Sequence, residues 1–311
     1  MLDLLSLVMP LYLLILTGFS MVRLRLLPDG SIPAIGALVM NIALPALIIN
    51  TLVGQNLREA FSLNYLLAYM LGATATVLLV FTLFLTILRR RWTVAFMAGF
   101  CSAMANSGFV GLPLVTLVLG ASGLRAVPMT FLVENVVLIP TALALTEITD
   151  GSQSSARQVL MKMVKRLASS PILLAIGAGS ALSALDVHLP APVGKTIALL
   201  ASAAVPCALI IIGAMLANTR PTAAGMDAIW ITIGKLALHP LATFLAFLVI
   251  GNVPTDMRDA GIILASAPMA TIVPLIGARF GLEGLTATAL LTATVASFVT
   301  ITIVLSLLAH A

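Results

Sequence analysis

Residues 101–113 read Cys101-Ser-Ala-Met-Ala-Asn-Ser-Gly-Phe-Val-Gly-Leu-Pro113, an uncharged stretch between two apolar runs. The composition around it asks for a helix, but the stretch itself resists one. Pro113 lacks a backbone donor and crowds the carbonyl four residues earlier, and Gly108 and Gly111 each cost about 1 kcal/mol relative to alanine in a helix interior. A shift of 161 residues finds a second such stretch, Ala265-Ser-Ala-Pro-Met-Ala-Thr-Ile-Val-Pro274, in which Pro274 falls on Pro113. Two matched interruptions in apolar spans decide the architecture. At membrane depth, backbone freed from helical bonding is tolerated only where protein or a wet cavity covers it.

The same offset serves the whole chain. It superposes Pro10 on Pro171, Gly18 on Gly179, Pro45 on Pro206, Gly120 on Gly281 and Gly123 on Gly284. Leu-Pro-Ala-Leu-Ile at 44–48 meets Val-Pro-Cys-Ala-Leu at 205–209. Apolar matches are cheap in such a composition; proline and glycine matches are less so. Apolar runs fall near residues 4–22, 35–53, 66–88, 94–119, 127–147, 171–185, 196–216, 228–250, 261–277 and 284–308. We therefore expect an all-α polytopic membrane protein of ten transmembrane helices, in two five-helix repeats. Residues 1–150 form the first repeat, 151–170 a linker and 171–311 the second. Five is odd, so the second repeat enters from the opposite face. The pair is inverted, with broken helices 4 and 9 crossing near the midplane, where many secondary transporters bind substrate.

Composition and charge agree. Of 311 residues, 61% are hydrophobic and 9% charged, against about 25% charged in soluble domains. The net charge of +5 therefore belongs to loops in contact with the lipid bilayer, and no nucleic acid is expected as a partner. One set of loops carries Arg23, Arg25, Arg89, Arg90, Arg91, Arg157, Lys162, Lys165, Arg166, Arg220 and Arg279; the other carries Arg58, Arg125, Lys195 and Arg258. The richer set should face the cytoplasm, which puts both termini on the periplasmic side of an inner membrane and the 151–170 linker inside. Ala156–Leu167 mixes four cations with apolar residues, and suits either an interfacial helix or a basic linker. The start, Met-Leu-Asp, has no basic segment before its apolar run and is expected to be a retained first helix. Cys101 and Cys207 stand apart in apolar runs, so neither a disulfide nor a metal site is expected.

Asn106 and Pro268 each fall near mid-bilayer when about 1.5 Å per residue is counted from the span ends. With Ser107, Gly108, Ser266 and the neighbouring Asn41 they form the candidate substrate-binding set, and Pro113 and Pro274 mark the crossing. Read alone, the interruptions also fit plain proline kinks with Ser and Asn as interhelical hydrogen-bonding groups. Glu134, beside Asn135, and Lys235 are ionisable groups inside spans, and burying either unpaired costs several kcal/mol. They fit a structural ion pair or a coupling site equally well. His239, one turn beyond Lys235 and before Pro240, is a further ionisable group.

Ala105-Asn-Ser-Gly-Phe-Val-Gly-Leu-Pro-Leu114 resembles the fourth-helix signature of the auxin efflux carrier family, whose bacterial members include malonate and other organic-acid permeases. Asn41-Ile-Ala-Leu-Pro-Ala-Leu-Ile48, Lys235-Leu-Ala-Leu-His-Pro240 and Ala278-Arg-Phe-Gly281 extend the likeness along the chain. The resemblance implies five-plus-five inverted repeats, kinship with bile-acid symporters and sodium/proton antiporters, and a role for Asn106 in contacting a substrate carboxylate. It also implies that Glu134 and Lys235 occupy the helices that carry the acid and the lysine of the antiporters. Met269 and Ala270 stand where relatives often have polar residues.

The function expected is secondary transport of a small organic anion, a carboxylate such as malonate, malate or an auxin-like acid, by alternating access. A proton or sodium ion is the candidate coupling partner, and a homodimer is compatible with the pattern. The alternative on the same fold is a sodium- or proton-coupled cation antiporter or a bile-acid-type symporter. No cofactor is expected. An enzyme is not expected, because His-Glu-x-x-His, Gly-x-Ser-x-Gly and Walker signatures are all missing.

Overall fold

The computed structural model describes residues 2–28, 30–53, 61–149, 161, 164–165, 167–187, 189–218 and 225–308. Its helices are α1 (Leu2–Arg23), α2 (Ser31–Leu52), α3 (Leu63–Ile87), α4 (Trp92–Ala103), α5 (Ser107–Leu124), α6 (Ala126–Leu145), α7 (Pro171–Ala184), α8 (Ala191–Ala217), α9 (Met226–Ile250), α10 (Thr255–Ser266), α11 (Val273–Ala278) and α12 (Glu283–Leu308). Seven of them, α2, α3, α5, α6, α8, α9 and α12, are long and apolar enough to cross a bilayer. α4, α7 and the Tyr12–Arg23 part of α1 are shorter apolar helices. There is no strand among the described residues, and the sole extended pairing sets Ala105 opposite Met269.

Sequence boundaries shift in three places. The run at 94–119 is two helices, α4 and α5, separated at Met104–Asn106. The run at 261–277 begins earlier, at Thr255, and breaks after Ser266, so Arg258 lies in the first turn of α10 rather than in a loop. Lys195 likewise sits in the exposed first turn of α8, not before it. Helices begin earlier than hydropathy suggests because Pro254 and Pro190 precede them, where a fixed φ and missing N–H do no harm. The amphipathic segment Ala156–Leu167 lies largely outside the described residues, as do Arg58, Arg157, Lys162, Arg166 and Arg220.

Proline shapes the spans in a repeated way. Pro45, Pro113, Pro140 and Pro240 each follow a π-helical turn: Val39–Ala43, Ser107–Gly111, Val133–Leu138 and Gly234–Leu238. In each, the amide just before the proline reaches back five residues, as Leu44 N–H to the Val39 carbonyl and His239 N–H to the Gly234 carbonyl. A proline cannot donate and its ring clashes with the carbonyl four residues back, so widening the turn keeps the neighbouring amide bonded without breaking the helix.

Glycine sets the closest helix contacts. A Cβ at Gly18 of α1 would collide with the backbone carbonyl of Ile210 in α8, and one at Gly213 with the carbonyl of Ile15. Such backbone approach is what small residues allow between helices in lipid. Gly179 of α7 packs against α2, where a Cβ would lie 3.3 Å from Ile49 Cα. Gly179 and Ile49 are 161 residues from Gly18 and Ile210. Outside the spans, Arg90 pairs with Asp227 at 3.0 Å and Arg125 with Asp256 at 2.7 Å.

Candidate functional site

The two broken spans meet where both interruptions fall. Asn106 N–H donates to the Pro268 carbonyl at 2.7 Å, and Ala270 N–H donates to the Met104 carbonyl at 3.1 Å. The short extended segments thus satisfy each other's backbone in the interior, as chain without helical bonding must. Asn106 stands just before α5, and its Oδ1 accepts from Phe109 N–H at 3.3 Å as an N-cap does. Its carbonyl takes the amides of Val110 and Gly111, both at 3.0 Å. Among the described residues the amides of Ser107 and Gly108 have no backbone acceptor, and the Asn106 carboxamide nitrogen has no partner. Three donors therefore converge at the start of an 18-residue helix, whose dipole favours negative charge there.

Behind the crossing lies a buried polar chain. Ser107 Oγ donates to Glu134 Oε1 at 2.6 Å, and Tyr69 OH reaches the same oxygen at 3.5 Å. Lys235 Nζ donates to the Ala265 carbonyl at 2.7 Å and lies 2.8 Å from His239 Nδ1. Glu134, Lys235 and His239 are all buried, at 2%, 0% and 0% exposure. Glu134 and Lys235 do not form the direct ion pair that the spans suggested. Each is held by its own partners, although they are near enough to interact electrostatically. The reason is geometric: both sit in π turns, and Lys235 is drawn to a free carbonyl in the last turn of α10, where helix ends leave acceptors unpaired.

Not every expected residue joins this group. Asn41 is exposed, in the π turn of α2. Asn135 is half-buried and donates to the Phe131 carbonyl of its own helix at 2.9 Å. Ser266 is buried and likewise bonds backwards to Ile262 O at 2.7 Å. Pro268 supplies its carbonyl rather than its ring to the crossing, while Pro113 and Pro274 lie inside the helices that leave it. Gly108 is buried against Leu44, Phe131 and Met40. Sequence reading passed over Tyr69 and Tyr65, whose OH lies 2.7 Å from Thr130 Oγ1. A signal existed, because two of the chain's three tyrosines stand four apart on one face of an apolar span. A cavity of about 30 Å³ between α1, α5, α8 and α12 has Val110, Leu114 and Pro268 in its wall. It holds about two waters and no organic acid.

Apolar helices broken at a buried crossing, with donors converging there, define a multi-pass membrane protein of the transport class. The chain belongs to the family described as Membrane transport protein, whose model matches residues 3–306, and this is the auxin efflux carrier-like family that the fourth-span motif resembles. A protein of Rhizobium meliloti (strain 1021) named "Putative malonate transporter" is 31% identical over 305 residues, covering 97% of this chain and 95% of that protein. The family and that name point to a transporter of a small molecule, not to an enzyme.

Proposed function

We propose that this chain is a secondary transporter of a small organic anion, a carboxylate of the malonate, malate or auxin-like class, working by alternating access in the inner membrane. The observation that carries the reading is the crossing. Two free backbone amides and the Asn106 carboxamide nitrogen point a donor set at one place where a helix begins, and a carboxylate takes such donors through charge-assisted hydrogen bonds. A cation exchanger on the same fold would need a free carboxylate at the crossing; Glu134 instead sits behind it, engaged by Ser107 and Tyr69. The name of the Rhizobium meliloti relative favours a carboxylate. Glu134 and Lys235 serve as the coupling element for a proton.

The ten-span inverted repeat underlies this mechanism. Its support is the pair of contacts Gly18 with Ile210 and Gly179 with Ile49, in which both members are exchanged by one 161-residue shift. The loop ion pairs agree with both termini facing the periplasm, since Arg90 and Asp227 fall on the side of the richer cation set and Arg125 and Asp256 on the other. The test of function is binding and uptake of a panel of mono- and dicarboxylates by purified protein in proteoliposomes. Thermal stabilisation by one of them, lost in Asn106→Ala, is the expected result. A panel without any stabilising or transported acid would overturn the assignment.

A further inference from the structure

Ser107 belongs to two structures at once. Its amide is one of the free donors at the start of α5, and its hydroxyl is spent on Glu134 Oε1 at 2.6 Å, both side chains being buried. A serine hydroxyl has a single hydrogen to give. While the carboxylate is ionised it can only accept, so Ser107 must donate to it, and that hydrogen is withheld from anything at the crossing. When a proton from solvent binds Glu134, the acid O–H can donate to Ser107 Oγ. The hydroxyl then turns from donor to acceptor in that contact, and its own hydrogen is free for a carboxylate held by the Ser107 and Gly108 amides.

We infer that Ser107 is the positioning residue that links anion occupancy at the crossing to protonation of Glu134, through the reversal of one hydrogen bond. This rests on the anion-transport reading given above and adds to it the sign of coupling: proton and anion favour one another. Linkage makes the effect reciprocal, so bound anion favours the protonated acid by the same factor. The groups facing Glu134 leave this contact in control. From α3 come Tyr69, a long 3.5 Å donor, and Tyr65, whose hydroxyl is engaged with Thr130. Lys235 of α9 is committed to Ala265 O, with His239 beside it. The charged residues of α10, Asp256, Arg258 and Asp259, are paired at its loop end with Arg125 and one another. Tyr69 cannot replace Ser107, because it starts no helix and touches no part of the crossing in the hydrogen-bond pattern described.

The experiment is calorimetric titration of the purified full chain with malonate from pH 8 to pH 5, for wild type, Ser107→Ala, Ser107→Thr and Glu134→Gln. The amide of Glu134→Gln donates to Ser107 at every pH and stands in for the protonated acid. Malonate's own titration is common to all four proteins, so the readout is affinity relative to Glu134→Gln at the same pH. Wild type should bind roughly tenfold or more weakly than Glu134→Gln at pH 8, since one charge-assisted bond is missing, and should approach it at pH 5. Ser107→Thr, which keeps the hydroxyl, should follow wild type. Ser107→Ala should remain weak at all pH values, with a constant ratio to Glu134→Gln. A wild-type rise in affinity in Ser107→Ala overturns the inference. So does wild type tracking Glu134→Gln at every pH, which decides the matter even if Ser107→Ala does not fold. Failure of the anion reading itself looks different: neither wild type nor Glu134→Gln would bind malonate or any other carboxylate of the panel.

Discussion

Lys235→Met removes a cation whose two contacts tie three helical elements together. Lys235 Nζ donates to Ala265 O at 2.7 Å and lies 2.8 Å from His239 Nδ1, with no exposure to solvent. Methionine fills a similar volume but offers no hydrogen, so the Ala265 carbonyl and His239 Nδ1 are both left buried without a partner. Each orphaned group costs about 1–3 kcal/mol, or about 2–6 kcal/mol together if the two add. Part of that is returned, because the desolvated ammonium itself is costly to hold in the interior. His239 Nε2 already lacks a partner, so the site has little capacity to absorb a second loss on the same ring. A net destabilisation of several kcal/mol is comparable with the whole stability of many domains. The assay is a thermal melt of detergent-purified protein, with the expectation that Lys235→Met unfolds at least several degrees below wild type. Adding His239→Leu deletes the orphaned ring and should recover part of the loss, so that the two substitutions are non-additive. A Lys235→Met protein that melts with wild type would show that the cation does not hold α10 to α9. The account of the crossing as a braced structure would then have to be abandoned.

Asn106→Ala should weaken malonate binding by roughly 5- to 150-fold, the worth of one hydrogen bond of about 1–3 kcal/mol to a charged group, with a small change in melting temperature; titration calorimetry beside a melt checks both. Glu134→Gln should still bind and exchange anion but lose transport driven by a pH gradient, since the amide cannot titrate; proteoliposomes with and without the gradient separate the two, and full pH-driven uptake would remove the residue from coupling. Gly18→Leu and Gly213→Leu should each abolish a monodisperse size-exclusion peak, because each side chain meets a backbone carbonyl that cannot move aside. Reporter fusions after Ala311 and near Ser154, both outside the described residues, should read periplasmic and cytoplasmic respectively; the reverse at either end would break the inverted topology.

What the sequence made legible, and what it hid, follows from the range of each interaction. Hydropathy and proline are local, so the spans, the interruption at Met104–Asn106 and the partner break after Ser266 could be read directly. The free amides at Ser107 and Gly108 follow from the same local rule, since a helix that begins at an interruption leaves its first donors unpaired. Side-chain partners are not local. Glu134 and Lys235 lie 101 residues apart, and counting from span ends puts them at similar depth without saying which way either points. A π turn rotates each residue out of the ordinary helical register, and that rotation sends Glu134 to Ser107 and Lys235 to the end of α10 rather than to each other. Asn41 shows the same limit in reverse, because its place beside a proline suggested the interior while its turn leaves it exposed. The pattern of a polar residue four to six positions before a proline was nevertheless present four times, at Asn41, Ser107, Glu134 and Lys235. All four prove to lie in π turns. A proline in an apolar span thus does more than bend it: the widened turn before it frees backbone groups and redirects one side chain. In three of these four cases that side chain is buried in the polar chain behind the crossing or in the brace beside it, where a transporter needs groups that can change partners.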